Sequence, residues 1–211
     1  LNKQTKPMCL KYLFVDGHDC RCLGISHIPN TNSCYWGTEK YIVKDFQKQY
    51  PGSIANAKVG FMSPDPNAME NPSYRQVCTG STGHVEVLNI ELAPKFATTE
   101  IFEDLMKFFF QFHDPTTLNR QGNDVGTQYA SMIFCTSEQQ KEIAANVKKQ
   151  LQSAMDKGSL PRAVYQKKTI ETAIVDYTTF YEAHDEHQEY LFKNPNGYCN
   201  HRFRFHDWPE L

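Results

Sequence analysis

Cys34 and Glu86 are the residues whose types and settings point most directly to chemistry. Cys34 stands ahead of a stretch in which Tyr35, Ile42, Val43 and Phe46 fall on one helical face, with Asn32 or Ser33 able to cap it. A thiol at that helix N-terminus meets the positive end of the macrodipole and free N–H groups, which stabilise thiolate and make a nucleophile candidate. The competing reading is a buried structural cysteine packed beside Tyr35 and Trp36. Glu86 shares one strand face with Leu88, Ile90 and Leu92 by the two-residue period. Desolvation there raises a carboxyl pKa and leaves a neutral acid that can donate a proton near neutrality. An edge-strand glutamate reaching solvent is the alternative.

Between Asn119 and Tyr129 no helical or strand periodicity appears, so an irregular loop is expected, and such loops often carry function. Asp124 lies in it between Gly122 and Gly126, which permit close turns; an Asx-turn would explain the aspartate equally well. Tyr129 ends the loop, where a packing role with its hydroxyl at the surface competes with a chemical one. Cys199 follows Asn194-Pro195-Asn196-Gly197-Tyr198 in an irregular C-terminal tail. His184 and His187, spaced HxxH, could invite a zinc reading with Cys20 and Cys22 as thiolates. That spacing lacks the paired CxxC or HExxH context of a strong zinc site, so no metal is expected.

The elements that must position these residues follow from periodicity. Residues 1 to about 32 read as irregular. After the helix that starts at Cys34, residues 53–61 alternate as a half-buried strand with Ala55, Ala57, Val59 and Phe61 on one face, and residues 62–72 form a loop. A strand over 84–92 leads to a helix from Thr98 or Thr99 to about His113, with Ile101, Leu105, Phe108, Phe109 and Phe112 as its core stripe. A short strand over 131–135 precedes a helix opened by Ser137, with Gln140 in capping-box register, and closed near Gly158. A strand at 170–175 and a short helix at 179–191 complete the pattern. Strands interleaved with helices, joined by modest loops, indicate a two-layer α/β sandwich.

Composition bounds the function. At 211 residues the chain suits one domain, and no apolar run approaches the ~20 residues of a membrane span. A formal charge of -2 gives no electrostatic reason to expect nucleic acid or an anionic membrane as partner. Seven cysteines, at 9, 20, 22, 34, 78, 135 and 199, form an odd, irregular set that argues against a secreted disulfide framework and for a reducing, cytoplasmic setting. A mitochondrial or plastid location stays open if a targeting segment has been removed. No phosphate loop or dinucleotide fingerprint is present, so NADPH should not bind directly.

Five segments in order, Ser33-Cys34-Tyr35-Trp36-Gly37, Gly83-His84-Val85-Glu86-Val87, His113-Asp114-Pro115-Thr116, the 119–129 loop and Asn194 to Cys199, resemble the peptide methionine sulfoxide reductases of the A type. The resemblance covers roughly residues 33–199. It implies a ferredoxin-like α+β core with long loops, an N-terminal extension over 1–32, a catalytic domain over 33–192 and a tail over 193–211. By resemblance, Cys34 attacks the sulfoxide sulfur while Tyr35 and Trp36 wall an apolar pocket for the substrate's methyl group. Glu86 protonates the sulfoxide oxygen, Tyr129 hydrogen-bonds it, and Asp124 contacts the substrate's backbone amide. Cys199 becomes the resolving thiol, and thioredoxin the external reductant, with no cofactor bound. The implied reaction is reduction of methionine S-sulfoxide in oxidised proteins, or of the free amino acid, by a monomer. Phe61 departs from a tyrosine found in many relatives and removes one donor to the sulfoxide oxygen; Ser33 and Ala130 depart from a glycine and an arginine. These departures motivate the alternative of a non-catalytic module that binds oxidised methionine.

Overall fold

The computed structural model describes residues 35–122, 124–197, 199 and 201–210, with residues 9–13 and 124 described as backbone only. Strand β1 (Cys9–Leu13) comes first and helix α1 (Tyr35–Lys40) follows, running on through a wider π-helical stretch, Tyr41–Phe46, into a closing turn, α2 (Gln47–Gln49). The capping role expected of Asn32 or Ser33 lies outside the described residues. Strand β2 (Ile54–Met62), helix α3 (Tyr74–Cys78), strand β3 (Val85–Leu92) and helix α4 (Thr99–Phe112) come next. A small hairpin, β4 (Arg120–Gln121) with β5 (Asp124–Val125), precedes β6 (Met132–Cys135), α5 (Glu138–Lys157), β7 (Ala173–Asp176), β8 (Tyr181–Glu182) and α6 (Tyr190–Lys193).

The main sheet has six strands in the order β7-β6-β1-β3-β2-β8. Its centre, β6-β1-β3-β2, is antiparallel throughout, with α1 between β1 and β2 and α4 between β3 and β6. That is the β-α-β-β-α-β arrangement of a ferredoxin-like α+β fold. Helix α5 then links β6 to its parallel neighbour β7. Alternation along β3 divides the core. Leu88, Ile90 and Leu92 join Phe46, Phe102, Phe109 and Leu151 in the larger cluster, whereas Val85 and Val87 join Met62, Tyr129 and Phe134 in a smaller one.

The caps explain the helix limits. Thr98 Oγ1 accepts from Ile101 N to open α4, and Ser137 Oγ accepts from Gln140 N to open α5, which ends at Gly158 in a left-handed conformation. Gln140 does not complete its box; its Oε1 accepts instead from Thr136 N at 2.8 Å.

Three readings require correction. The stretch read as irregular over 1–32 contains β1, which pairs with both β3 and β6 at the heart of the sheet. Residues 179–191 are not one helix: Thr178, Thr179, Phe180 and Tyr181 are β-branched or aromatic, and Tyr181 and Glu182 add to the edge of β2 opposite Phe61 and Gly60. Only Tyr190–Lys193 is helical there. Gly60 permits this pairing, since a Cβ there would lie 2.2 Å from Tyr181 O. The strand expected at 170–175 begins only at Ala173, because Lys148 Nζ and Ser131 Oγ engage Thr172.

Candidate active site

Helix α1 and the paired strands β2 and β3 bring the predicted wall together. Phe61 stands directly across from Glu86 in the β2–β3 register, and Glu86, only 2 % exposed, points with Leu88 and Ile90 toward the helical layer. The Tyr35 ring lies 6.2 Å from that of Phe61 and 6.1 Å from that of Trp36. Behind them, Tyr190 stacks on Trp36 at 3.5 Å, and His187 lies 5.8 Å from Tyr35 and 5.9 Å from Trp36. The buried indole Nε1 of Trp36 has no hydrogen-bond partner among the described residues.

Tyr74 enters this wall from α3. A capping box starts that helix: Ser73 Oγ accepts from Gln76 N, and Gln76 Oε1 accepts from Ser73 N at 2.9 Å. The Tyr74 ring lies 4.5 Å from His187 and 6.3 Å from Phe61. Burial, and then the nearby Glu86, Cys78 and Tyr35, hold its phenol well above the usual tyrosine range. Tyr74 therefore remains a donor at any physiological pH. Burial also pushes the His187 imidazole below its ordinary value, although Glu186 opposes this, which favours the neutral ring. His184 is exposed while His187 is buried in the wall, and among the described residues no group of three His, Cys, Asp or Glu is placed to hold a metal.

The 119–129 loop is pinned to the end of α3. Gln128 Nε2 donates to Cys78 O at 3.1 Å, and Thr127 Oγ1 donates to Gly80 O at 3.1 Å. Tyr129 is buried with Val85 and Val87, the two neighbours of Glu86 in β3, and with Met62 and Phe134. The backbone of Asp124 pairs with Gln121 in the hairpin.

Cys34, the expected nucleophile, lies outside the described residues, as do Cys20 and Cys22; α1 begins at the residue that follows Cys34. Cys199 is half-buried, and its Sγ donates weakly to His201 O at 3.9 Å. Burial pushes its thiol up, partly offset by that bond and by Lys40. The tail is irregular, as expected, but docked. Tyr41 Oη donates to His201 O at 3.1 Å, and Arg204 N donates to Gln111 O at 2.8 Å. The His201 ring sits so close to α1 that a Cβ on Gly37 would lie 2.0 Å from Nδ1. Arg204 also pairs with buried Asp114 at 3.5 Å and donates to Val164 O at 2.9 Å. The described part of the tail thus holds Cys199 beside the helix whose start adjoins Cys34 in the chain.

The profile of the family described as peptide methionine sulfoxide reductase matches residues 28–208. The chain belongs to that family. It is 40 % identical over 189 residues to peptide methionine sulfoxide reductase MsrA 1 of Caulobacter vibrioides, covering 88 % of this chain and 78 % of that protein. The human mitochondrial peptide methionine sulfoxide reductase is 39 % identical over 168 residues, covering 79 % of this chain and 63 % of the relative. Among solved structures, the reduced form of Mxr1 from Saccharomyces cerevisiae superposes with a TM-score of 0.70 at 31 % identity, covering 97 % of this chain and 96 % of the other. Methionine sulfoxide reductase A of Corynebacterium diphtheriae gives 0.63 at 31 % identity, covering 94 % and 80 %.

As a member of this oxidoreductase family, the reductase has a site richer than its sequence suggests. Sequence reasoning misses Tyr74 and Tyr190 and considers His187 only for a zinc reading that it sets aside. The signal available for α3 is the Ser73-x-x-Gln76 capping box, which marks a helix start one residue before Tyr74. For Tyr190 no comparable local signal exists.

Proposed function

We propose that this reductase converts methionine S-sulfoxide, in oxidised proteins and as the free amino acid, to methionine by a thiol cycle. The Cys34 thiolate attacks the sulfoxide sulfur as the oxygen is protonated. Hydroxyl then passes from the substrate sulfur to Cys34, the transient S–S bond and the old S–O bond break, and methionine leaves with Cys34 as a sulfenic acid. Glu86 supplies the proton, since its burial against the aromatic wall favours the neutral acid. Tyr74 donates a hydrogen bond to the departing oxygen, with Tyr129 as a second donor, and Tyr35, Trp36 and Phe61 enclose the methyl group. Asp124 receives the substrate's backbone N–H.

Cys199 then attacks the sulfenic sulfur, forming a disulfide and releasing water with its thiol proton. Thioredoxin reduces that disulfide by exchange, so no resident cofactor is required. The protein acts as a monomer in a reducing compartment. No described helix is long and apolar enough to cross a membrane.

The observation that carries this reading is the meeting of one buried carboxyl, Glu86, with the protonated phenol of Tyr74 inside an otherwise aromatic wall. A solvent-facing binding module has no use for a buried acid there. The test is turnover of a methionine sulfoxide peptide with thioredoxin, thioredoxin reductase and NADPH. Wild type should turn over and Cys34→Ser should not, because an alkoxide is inaccessible near neutral pH, while both bind substrate. Wild-type binding without turnover would instead support a non-catalytic module.

A further inference from the structure

Glu39 is a buried carboxyl that the proposed reaction does not use. It lies on the inward face of α1, 2 % exposed, in the same helix as Tyr35 and Trp36. Its Oε1 accepts from Glu189 N at 3.0 Å, while its buried Oε2 has no hydrogen-bond partner among the described residues. Glu189 holds φ at 55°, a left-handed conformation that a residue with a Cβ rarely adopts and that surrounding structure must enforce.

The residues next to Glu189 explain why such a turn is enforced. Tyr190 follows it and stacks on Trp36, and His187, just before, packs on Tyr35, Trp36 and Tyr74. Gln188, between them, is fastened to β2: its side chain donates to Val59 O at 2.9 Å and accepts from Val59 N at 2.9 Å. One turn is therefore tied to β2 through Gln188 and to α1 through Glu39, and it presents two rings to the substrate wall.

We infer that Glu39 is a positioning residue for substrate recognition: by holding the 187–190 turn against α1, it keeps Tyr190 and His187 packed on Trp36 and fixes the apolar pocket for the substrate's S-methyl group. The inference rests on the proposed reduction of methionine sulfoxide. Glu39 touches neither sulfur nor oxygen, so its loss should weaken binding and leave the chemical step nearly intact.

The experiment is steady-state and single-turnover kinetics of wild type, Glu39→Ala and Glu39→Gln on one sulfoxide peptide. Glu39→Ala should raise KM roughly tenfold, as expected for one lost hydrogen bond, while the single-turnover rate at saturation changes less than about threefold. Gln retains the acceptor for Glu189 N, so Glu39→Gln should restore KM to within about twofold of wild type. The intrinsic fluorescence of Trp36 should shift in Glu39→Ala and not in Glu39→Gln. If the alanine variant does not fold, Glu39→Asp, which draws the acceptor back by one methylene, takes its place with the same expected split. A wild-type KM in Glu39→Ala, or a loss confined to the chemical step, overturns the inference. Equal losses in the alanine and glutamine variants overturn it too, since they implicate charge and not the bond to Glu189. An inactive wild type overturns the reductase reading itself and is distinct from all of these.

Discussion

Glu86 and Tyr74 reach the same wall from different elements, and their division of labour follows from their chemistry. A buried carboxyl can give up a proton within the physiological range, whereas a phenol held well above its ordinary pKa by burial and by Glu86 can only donate a hydrogen bond. Glu86→Gln should therefore slow methionine release in a single turnover by roughly a hundredfold, the effect of a lost general acid. Tyr74→Phe should slow it by roughly tenfold, the worth of one hydrogen bond to developing charge. Rapid mixing with quench checks both; a near-wild-type rate in Glu86→Gln would mean that the proton comes from elsewhere. Glu86 is legible from alternation alone, because Leu88, Ile90 and Leu92 fix its face. Tyr74 is not, because nothing in Pro72-Ser73-Tyr74-Arg75 separates a surface tyrosine from one folded back over β2 and β3. Phe61, read by itself, suggests that a hydroxyl is missing from the site. The structure sets the Tyr74 ring 6.3 Å away from it.

Among the elements, α1 has to balance a recognition surface against a buried charge. Burial raises the Glu39 carboxyl from 4.5 to about 7, an effect only partly offset by the bond from Glu189 and by Lys193 and Lys58. The folded state thus holds a proton that the unfolded chain has released between pH 4.5 and about 7, and stability must fall as pH rises through that window. Above it the penalty is constant. Glu39→Gln removes the titration and keeps the acceptor, so it should stabilise the protein by about 1–3 kcal/mol at pH 8 and by almost nothing at pH 4. Urea unfolding at both pH values measures this; equal effects at the two would show that Glu39 titrates normally. The start of α1 is legible through the apolar face of Tyr35, Ile42 and Phe46, and the ends of α4 and α5 through Thr98, Ser137 and Gly158. The tail is harder. It has no helical or strand period, yet His201 and Phe205 are buried and Arg202 is exposed, an alternation whose meaning depends on Gln111 and Phe112 offering backbone carbonyls across α4.

For the whole molecule, interleaved strands and helices are enough to reach a two-layer α/β sandwich, but not its assembly. The missing piece is β1: five residues, Cys9–Leu13, are too short for periodicity to distinguish, and their place arises only when β3 and β6 leave a gap between them. The same long-range logic governs the thiols. The tail docks His201 on Gly37 and so carries Cys199 to α1, while Cys135 is buried in β6, where burial raises its thiol to about 12. Cys78, at the end of α3 and in contact with Tyr74, is the other partly exposed free thiol among the described residues. The most direct measurement is a single turnover with fully reduced protein and no external reductant, with methionine quantified and the product digested and mapped for disulfides. The account predicts about one equivalent of methionine per protein and a bond between Cys34 and Cys199. No methionine, or a disulfide that joins Cys34 to Cys78 instead, would contradict it.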